Sequence, residues 1–253
     1  MKLTALIVAR NEEDKIEDCL KSLKFTDEVV LVLDRNTDRT DIIARKFTKK
    51  IFKGTWICEA ERRNYGINKC KSDWILEIDA DEIISPKLSN EIKEKISLKN
   101  SDFFYIPIIN YVGVKVIKYG WMACLAPDGK FCLFKKGKKK WIKGSVHPSY
   151  SINGLRGSKI KEQILHFMSK NISDLINRFN RNTSLYSLDL KNEKKSLKKL
   201  LSIRKIFSRF FKSYIKRMGF RNGKIGVLIS ILCALYPYVS AKKVLSERNE
   251  INF

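Results

Sequence analysis

Asp79 and Asp81 stand two residues apart where the apolar run Trp74–Ile78 ends, and Asp34 ends an earlier apolar run that begins at Glu28. Two carboxylates at i and i+2, where a strand gives way to a turn, can converge on one hard divalent cation. Mg²⁺ or Mn²⁺ at such a pair keeps several waters and draws its remaining ligands from substrate phosphates. An ion there neutralises charge developing on a departing diphosphate. An acidic pair at a strand end is also an ordinary solvated turn, and Asp34 is what shifts the balance. A carboxylate that follows a strand can accept hydrogen bonds from a nucleobase or ribose.

The elements that must position these acids are written in the periodicity. Leu3-Thr-Ala-Leu-Ile-Val-Ala9 is the continuous apolar run of a strand buried on both faces. It leads straight into Arg10-Asn-Glu-Glu13 without a small-residue cleavage site, so it reads as a first strand and not a signal peptide. Asn11 is placed to cap a helix carrying Ile16, Cys19, Leu20 and Leu23 at 3–4 spacing. After Asp34 come a helix with Ile42, Ile43, Ala44 and Phe47 on its apolar side, a short strand near 50–52, and a helix over 59–70. Beyond Asp81, Ser85 caps a helix whose first residue is Pro86. Strands alternating with helices predict an α/β fold with a parallel, right-handed, doubly wound sheet. Ligands bind such sheets beyond the strand C-termini, where all three acids fall. No glycine fingerprint follows the first strand, which disfavours a dinucleotide fold.

Of 253 residues, 44% are apolar, which excludes global disorder. The net charge of +24 is unevenly placed: residues 1–100 carry 20 basic and 19 acidic side chains, residues 101–253 carry 31 and 8. The second part is therefore expected to face something anionic. Residues 191–224 hold 13 Lys and Arg against one acid, Glu193, with Leu200, Ile203, Phe207, Phe210 and Phe211 recurring at 3 and 4. A basic amphipathic helix of this kind lies in the interface of an anionic membrane; the alternative is that its apolar face packs on the rest of the protein. Residues 225–241 are apolar, but shorter than the ~20 needed to span a bilayer and interrupted by Pro237. They can dip into one leaflet or pack against a second copy of the chain. The lysine run 135–140 either meets phosphates on an acceptor or forms a solvated hairpin tip. Nucleic acid is disfavoured, since no recognition motif or zinc module accompanies the charge. Six scattered cysteines without a C-x-x-C pair, and only two histidines, argue against a zinc site and for a reducing compartment.

Four stretches carry a resemblance: Ala9-Arg-Asn-Glu-Glu13, Val32-Leu-Asp-Arg-Asn-Thr-Asp-Arg-Thr40, Glu61-Arg-Arg-Asn-Tyr65 and Leu76-Glu-Ile-Asp-Ala-Asp-Glu82. In order and spacing they are similar to the motifs of family 2 glycosyltransferases. Gly120-Trp121, Pro127-Asp128, Leu133-Phe134, His147, His166 and residues 210–226 extend the resemblance to the lipopolysaccharide-core β-1,4-glucosyltransferase branch. Charge and periodicity already set apart a C-terminal basic amphipathic helical, membrane-associating region at 186–253. The resemblance implies a GT-A fold with a Rossmann-like, mostly parallel sheet, its donor-binding half at 1–100 and its acceptor-side half at 101–185.

It further implies a UDP-sugar donor, a divalent metal and inversion by single displacement, with a hexose passed to a lipid-linked saccharide. Asp34 would contact uridine. Asn11, Arg63 and Asp79 would lie near the nucleotide or its diphosphate, and Asp79 and Asp81 would flank the metal. Asp128 and His147 are the candidate bases, although a Pro-Asp-Gly turn or a structural histidine would account for each without catalysis. His166 reads as a packing or capping group at the start of a helical region. Cys132 stands where that branch has an arginine, Pro148 where it has an acid, and Leu33 where an aspartate often precedes Asp34. The expected location is cytoplasmic, peripheral on the inner face of the cytoplasmic membrane. The alternatives are a nucleotidyltransferase on a related scaffold, or a non-catalytic membrane- or nucleic-acid-binding protein with a degenerate fold.

Overall fold

The computed structural model describes residues 1–142, 148–192 and 197–250, with side chains to 246; His147 lies outside the described residues. Strands β1 (Leu3–Ala9), β2 (Glu28–Asp34), β3 (Ile51–Gly54) and β4 (Trp74–Ile78) alternate with helices α1 (Ile16–Ser22), α2 (Thr40–Ala44) and α3 (Glu59–Lys69). There follow β5 (Glu82–Ile83), α4 (Pro86–Ser97), β6 (Phe103–Val112), β7 (Lys115–Ile117), β8 (Gly129–Lys135), β9 (Lys139–Trp141), β10 (Tyr150–Ile152) and β11 (Ile164–Ser169). Helices α5 (Ile172–Asn192), α6 (Ile203–Phe211) and α7 (Lys224–Glu250) complete the chain, with a π-helical turn at Lys212–Lys216 and a 3-10 turn at Gly219–Asn222 between the last two.

The main sheet runs β3-β2-β1-β4-β8-β6-β11-β5, with β7 at the end of β6. Its first four strands are parallel, as the strand–helix alternation predicts. All seven residues of β1 are buried, and their alternation feeds two layers. Ala5 and Ile7 pack with Ile16, Leu20, Leu88 and Ile92, whereas Leu6 and Val8 pack with Ile67 and Cys70. Helices therefore cover both faces. On the second face α3 comes so close that a Cβ on Gly66 would fall 2.6 Å from Leu6 Cδ1.

From β8 onward the sheet turns antiparallel, β8 against β4 and β6 against β8. No crossover helix separates β6, β7 and β8, so these strands return by turns, and turns join antiparallel neighbours. The register sets Leu33 beside Ala9 and Ile78 beside Ile7. Asp34 and Asp79 thus sit at the same end of β2 and β4, the two parallel strands that flank β1.

Several local expectations are corrected. Asn11 does not cap α1, which starts at Ile16 without a side-chain cap. Asn11 has φ of 54° and exchanges hydrogen bonds with Thr37, its Nδ2 donating to Thr37 Oγ1 at 3.0 Å and its Oδ1 accepting from Thr37 N at 2.8 Å. It ties the loop after β1 to the loop after β2. Ile42 is exposed, because α2 is barely more than a turn and buries only Thr40 and Ala44. His166 lies within β11, not at a helix start; α5 begins at Ile172. Ser85 caps α4 as expected, its Oγ accepting from Leu88 N at 3.2 Å.

The chain divides into two compact units, Met1–Ile108 with Gly129–Phe167, and Ile109–Asp128 with Met168–Phe253. The division cuts across 101–185, since β6 and β11 both run from one unit into the other. The second unit has its own core of Trp121, Met122, Leu125, Met168, Leu175, Ile229, Leu232 and Cys233. By length and composition Lys224–Ser246 of α7 could cross a membrane, but half of it is buried within the protein. Ile229, Cys233, Tyr236, Ala241 and Val244 are spent on this packing. Pro237 sits inside α7 and cannot donate to the Cys233 carbonyl four residues back. Arg209 fills that gap, donating from Nε at 3.2 Å and Nη2 at 3.1 Å to Cys233 O.

Candidate active site

The acids that end β4 are gathered into a network of charges within the first unit. Asp79 Oδ1 accepts from Arg63 Nη2 at 3.0 Å, and its Oδ2 lies 3.1 Å from Lys130 Nζ. Burial would raise the Asp79 carboxyl, but Lys130 and Arg63 together hold it well below the usual carboxylate range. Its side chain remains 35% exposed, the most open of the group. Arg63 also reaches Glu59 and Glu77, and its guanidinium lies 4.9 Å from the Trp141 ring centroid. Lys130 makes a second bond, 2.6 Å to Glu82 Oε2, and the same oxygen accepts from Asp79 N at 2.9 Å. Burial pushes the Glu82 carboxyl up in spite of Lys130.

Behind this layer Glu77 is 2% exposed and fully partnered. Lys139 Nζ donates to its Oε2 at 2.7 Å, while Arg63 Nη1 and Trp141 Nε1 donate to Oε1 at 3.0 and 2.9 Å. Burial opposes its charge, yet Lys139 and Arg63 draw its carboxyl below the usual range. Asn64 fixes α3 to this edge, bonding the Trp141 carbonyl at 2.8 Å and accepting from Trp141 N at 2.9 Å.

Asp81 faces a different partner. Its Oδ2 lies 3.3 Å from His166 Nε2 and 3.9 Å from Lys15 Nζ, and its carbonyl accepts from Phe167 N at 2.8 Å. β11 pairs antiparallel with β5, His166 opposite Glu82, and this pairing carries the imidazole to the acidic turn. Among the described residues no group of three or more His, Cys, Asp or Glu side chains is disposed to hold a metal. A pair is enough for Mg²⁺ or Mn²⁺, which leave most positions to water and substrate oxygens. Two ligands about 2.1 Å from one ion and at right angles to each other stand about 3 Å apart, so Asp81 and His166 fit adjacent positions. Asp79 has both oxygens engaged by cations.

Asp34 is 4% exposed at the end of β2. Arg35 Nε and Arg62 Nη1 donate to it at 3.1 and 3.2 Å, and Trp56 N donates to its Oδ1 at 3.3 Å. Arg35 Nη2 adds a fourth donor, 3.4 Å from Oδ2, so a ligand that donates to this carboxylate takes the place of one of these contacts. Trp56 and Tyr65 lie beside it with ring centroids 5.1 Å apart, and a Cβ on Gly54 would fall 2.7 Å from the Trp56 ring.

Asp34, Arg63, Asp79 and Asp81 all belong to the first unit. Asp128 belongs to the second, with its side chain 73% exposed and 3.6 Å from Arg217 Nη1. The lysine run is not a free cationic tip: Lys139 is buried on Glu77, Lys135 bonds Asp102 at 3.0 Å, and Lys136 bonds the Cys70 carbonyl at 2.6 Å. Cys132 is buried, its thiol pushed up to about 12 by burial. Lys130, two residues earlier and so on the same face of β8, brings the cation to the acids instead. Glu77, Lys130 and Lys139 belong to this network and are missed in the sequence, where His166 is noticed but reads as a packing or capping group. Of the three, Glu77, a charge inside the apolar run of β4, left a signal that could have found it.

A family model described as Glycosyl transferase family 2 matches residues 4–156. The chain is 26% identical to an uncharacterized glycosyltransferase of Rickettsia bellii (strain RML369-C), covering 96% of this chain and 86% of that one. It is 22% identical to the lipopolysaccharide core biosynthesis glycosyltransferase LpsC of Rhizobium meliloti (strain 1021), covering 96% and 92%. Among solved structures, S. aureus TarS 1-349 in complex with UDP-GlcNAc matches with a TM-score of 0.49 at 14% identity, covering 99% of this chain and 92% of that one. The family match embraces β1 to β10, hence the parallel strands, Asp34 and the acidic turn, and with it the chain belongs to glycosyl transferase family 2, a glycosyltransferase of GT-A fold.

Proposed function

We propose that this protein is an inverting glycosyltransferase that moves a hexose, glucose first among candidates, from a UDP-sugar to a lipid-linked saccharide such as lipopolysaccharide core, at the cytoplasmic face of an anionic membrane. The observation that carries the reading is the acidic turn after β4, where Asp79 is held by Arg63 and Lys130 while Asp81 meets His166. Such a turn, at the C-terminal end of a parallel strand and level with Asp34, suits a nucleoside diphosphate. The likeness to LpsC supports the acceptor class.

In this reading Asp34 accepts from the uridine, with Arg35, Arg62 and the Trp56 amide fixing its carboxylate. Asp81 and His166 would hold a divalent ion, which supplies charge neutralisation on the leaving diphosphate. Arg63 and Lys130 keep Asp79 charged and oriented at the same end of the sheet, and Asn11 clamps the loops after β1 and β2 beside it. The acceptor oxygen forms its bond to the anomeric carbon as the bond to the phosphate oxygen breaks on the opposite face. The acceptor proton passes to a base, Asp128 or His147. Thermal shift with UDP, ADP and GDP, each with and without Mn²⁺, tests the donor class. UDP with Mn²⁺ should stabilise wild type most and Asp34→Ala little. Equal shifts for all three nucleotides, or for both proteins, would contradict it.

A further inference from the structure

The amphipathic segment after residue 200 leaves its most apolar stripe uncovered. Helix α6 contains no buried residue. Ile203, Phe207, Phe211 and Ile215 follow one another at intervals of four, hence along one side, and are 64%, 61%, 57% and 54% exposed. Met218 and Phe220 extend the exposed apolar surface through the turns that follow. The other side is anchored within the same unit. Arg209 holds the Cys233 carbonyl, and Ser213 Oγ meets Ser230 Oγ at 2.9 Å. The helix therefore cannot roll to hide its stripe without breaking buried hydrogen bonds.

Around the stripe the exposed charges are mostly of one sign, with Asp128 beside Arg217 the acid that meets them. Arg204, Lys205, Lys212, Lys216, Arg217, Arg221 and Lys224 are exposed, and the sequence has no Asp or Glu between Glu193 and Glu247. A second copy placed on this stripe would set the cations of each chain against their own kind. A protein partner would have to supply a broad acidic rim. An anionic bilayer offers both an apolar interior and a sheet of negative charge, and each cation near it contributes about 1 kcal/mol.

We infer that the stripe formed by Ile203, Phe207, Phe211 and Ile215 is the membrane-docking face of this protein, inserting its side chains into the interface of an anionic leaflet while the flanking Lys and Arg meet the headgroups. This moves the attachment away from residues 225–241, where Ile229, Leu232, Cys233, Tyr236 and Ala241 are buried in their own unit. The inference concerns lipid alone and does not depend on donor, metal or acceptor.

Flotation of the full chain with vesicles of phosphatidylcholine, or of phosphatidylcholine mixed with phosphatidylglycerol, tests it without any substrate, so its failure would leave the transfer chemistry untouched. Wild type should float with the anionic vesicles and less so at high salt. A Phe207→Glu, Phe211→Glu double variant should lose about tenfold or more of its partitioning. Val114→Glu, altering a 99% exposed apolar residue elsewhere in the same unit, should float like wild type. Phe207→Trp should gain fluorescence quenched by lipids brominated in their acyl chains. Undiminished flotation of the double variant, equal loss in Val114→Glu, or no added quenching in Phe207→Trp would each overturn the proposal. So would a dimer that the double variant splits while wild type ignores the vesicles.

Discussion

His166 Nε2 lies 3.3 Å from Asp81 Oδ2, brought there by the antiparallel pairing of β11 with the two-residue strand β5. If both atoms serve one ion, His166→Ala should raise the Mn²⁺ concentration for half-maximal transfer by at least the roughly 10- to 100-fold that even an outer partner of a metal ligand is worth. Asp81→Asn should abolish transfer in a protein whose circular dichroism is unchanged. Metal titration of activity in the two variants checks both, and a wild-type Mn²⁺ dependence in His166→Ala would remove it from the site.

Glu77 is the buried centre on which Lys139, Arg63 and Trp141 converge. Glu77→Gln leaves two buried cations short of a counter-charge and should cost about 3–5 kcal/mol. Because the native carboxyl lies below its unfolded value of about 4.3, its contribution is complete above that pH and is lost as pH falls through the native value. Urea unfolding of wild type and variant at neutral pH and at about pH 3 should therefore show a gap that narrows in acid.

Asp34 joins Arg35, Arg62 and the Trp56 amide at the end of β2. Asp34→Asn should weaken UDP binding by about tenfold or more, the scale of one hydrogen bond to a charged group. Calorimetric titration with UDP reads this directly, and an unchanged affinity would mean that the nucleotide does not touch Asp34.

Arg209 and Pro237 should be coupled through the Cys233 carbonyl. Arg209→Met strips that carbonyl of its donors and should cost about 1–3 kcal/mol. In a Pro237→Ala background the cost should shrink, since residue 237 then has an N–H to offer. A double-mutant cycle of urea unfolding measures the difference.

The parallel strands β1 to β4 are legible in sequence because they are continuous apolar runs separated by helices, and Asp34, Asp79 and Asp81 fall where those runs stop. The strands after them are less so. β5 is two residues long, and β11 finds it only through long-range pairing, so no local period announces His166 as a neighbour of Asp81. Lys130 and Lys139 look like solvated cations until the sheet sets them against Glu82 and Glu77. The period of 3 and 4 after residue 200 announces an amphipathic helix, but only the hydrogen bonds of Arg209 and Ser213 to α7 decide which side is left open.

UDP release measured across a panel of UDP-sugars, with Mn²⁺ and a lipid-linked saccharide acceptor, tests sugar transfer at the acidic turn after β4 most directly. Release from UDP-glucose that ceases on chelation and in Asp81→Asn is the predicted result. Silence with every donor, or turnover by folded Asp81→Asn at the wild-type rate, would contradict it.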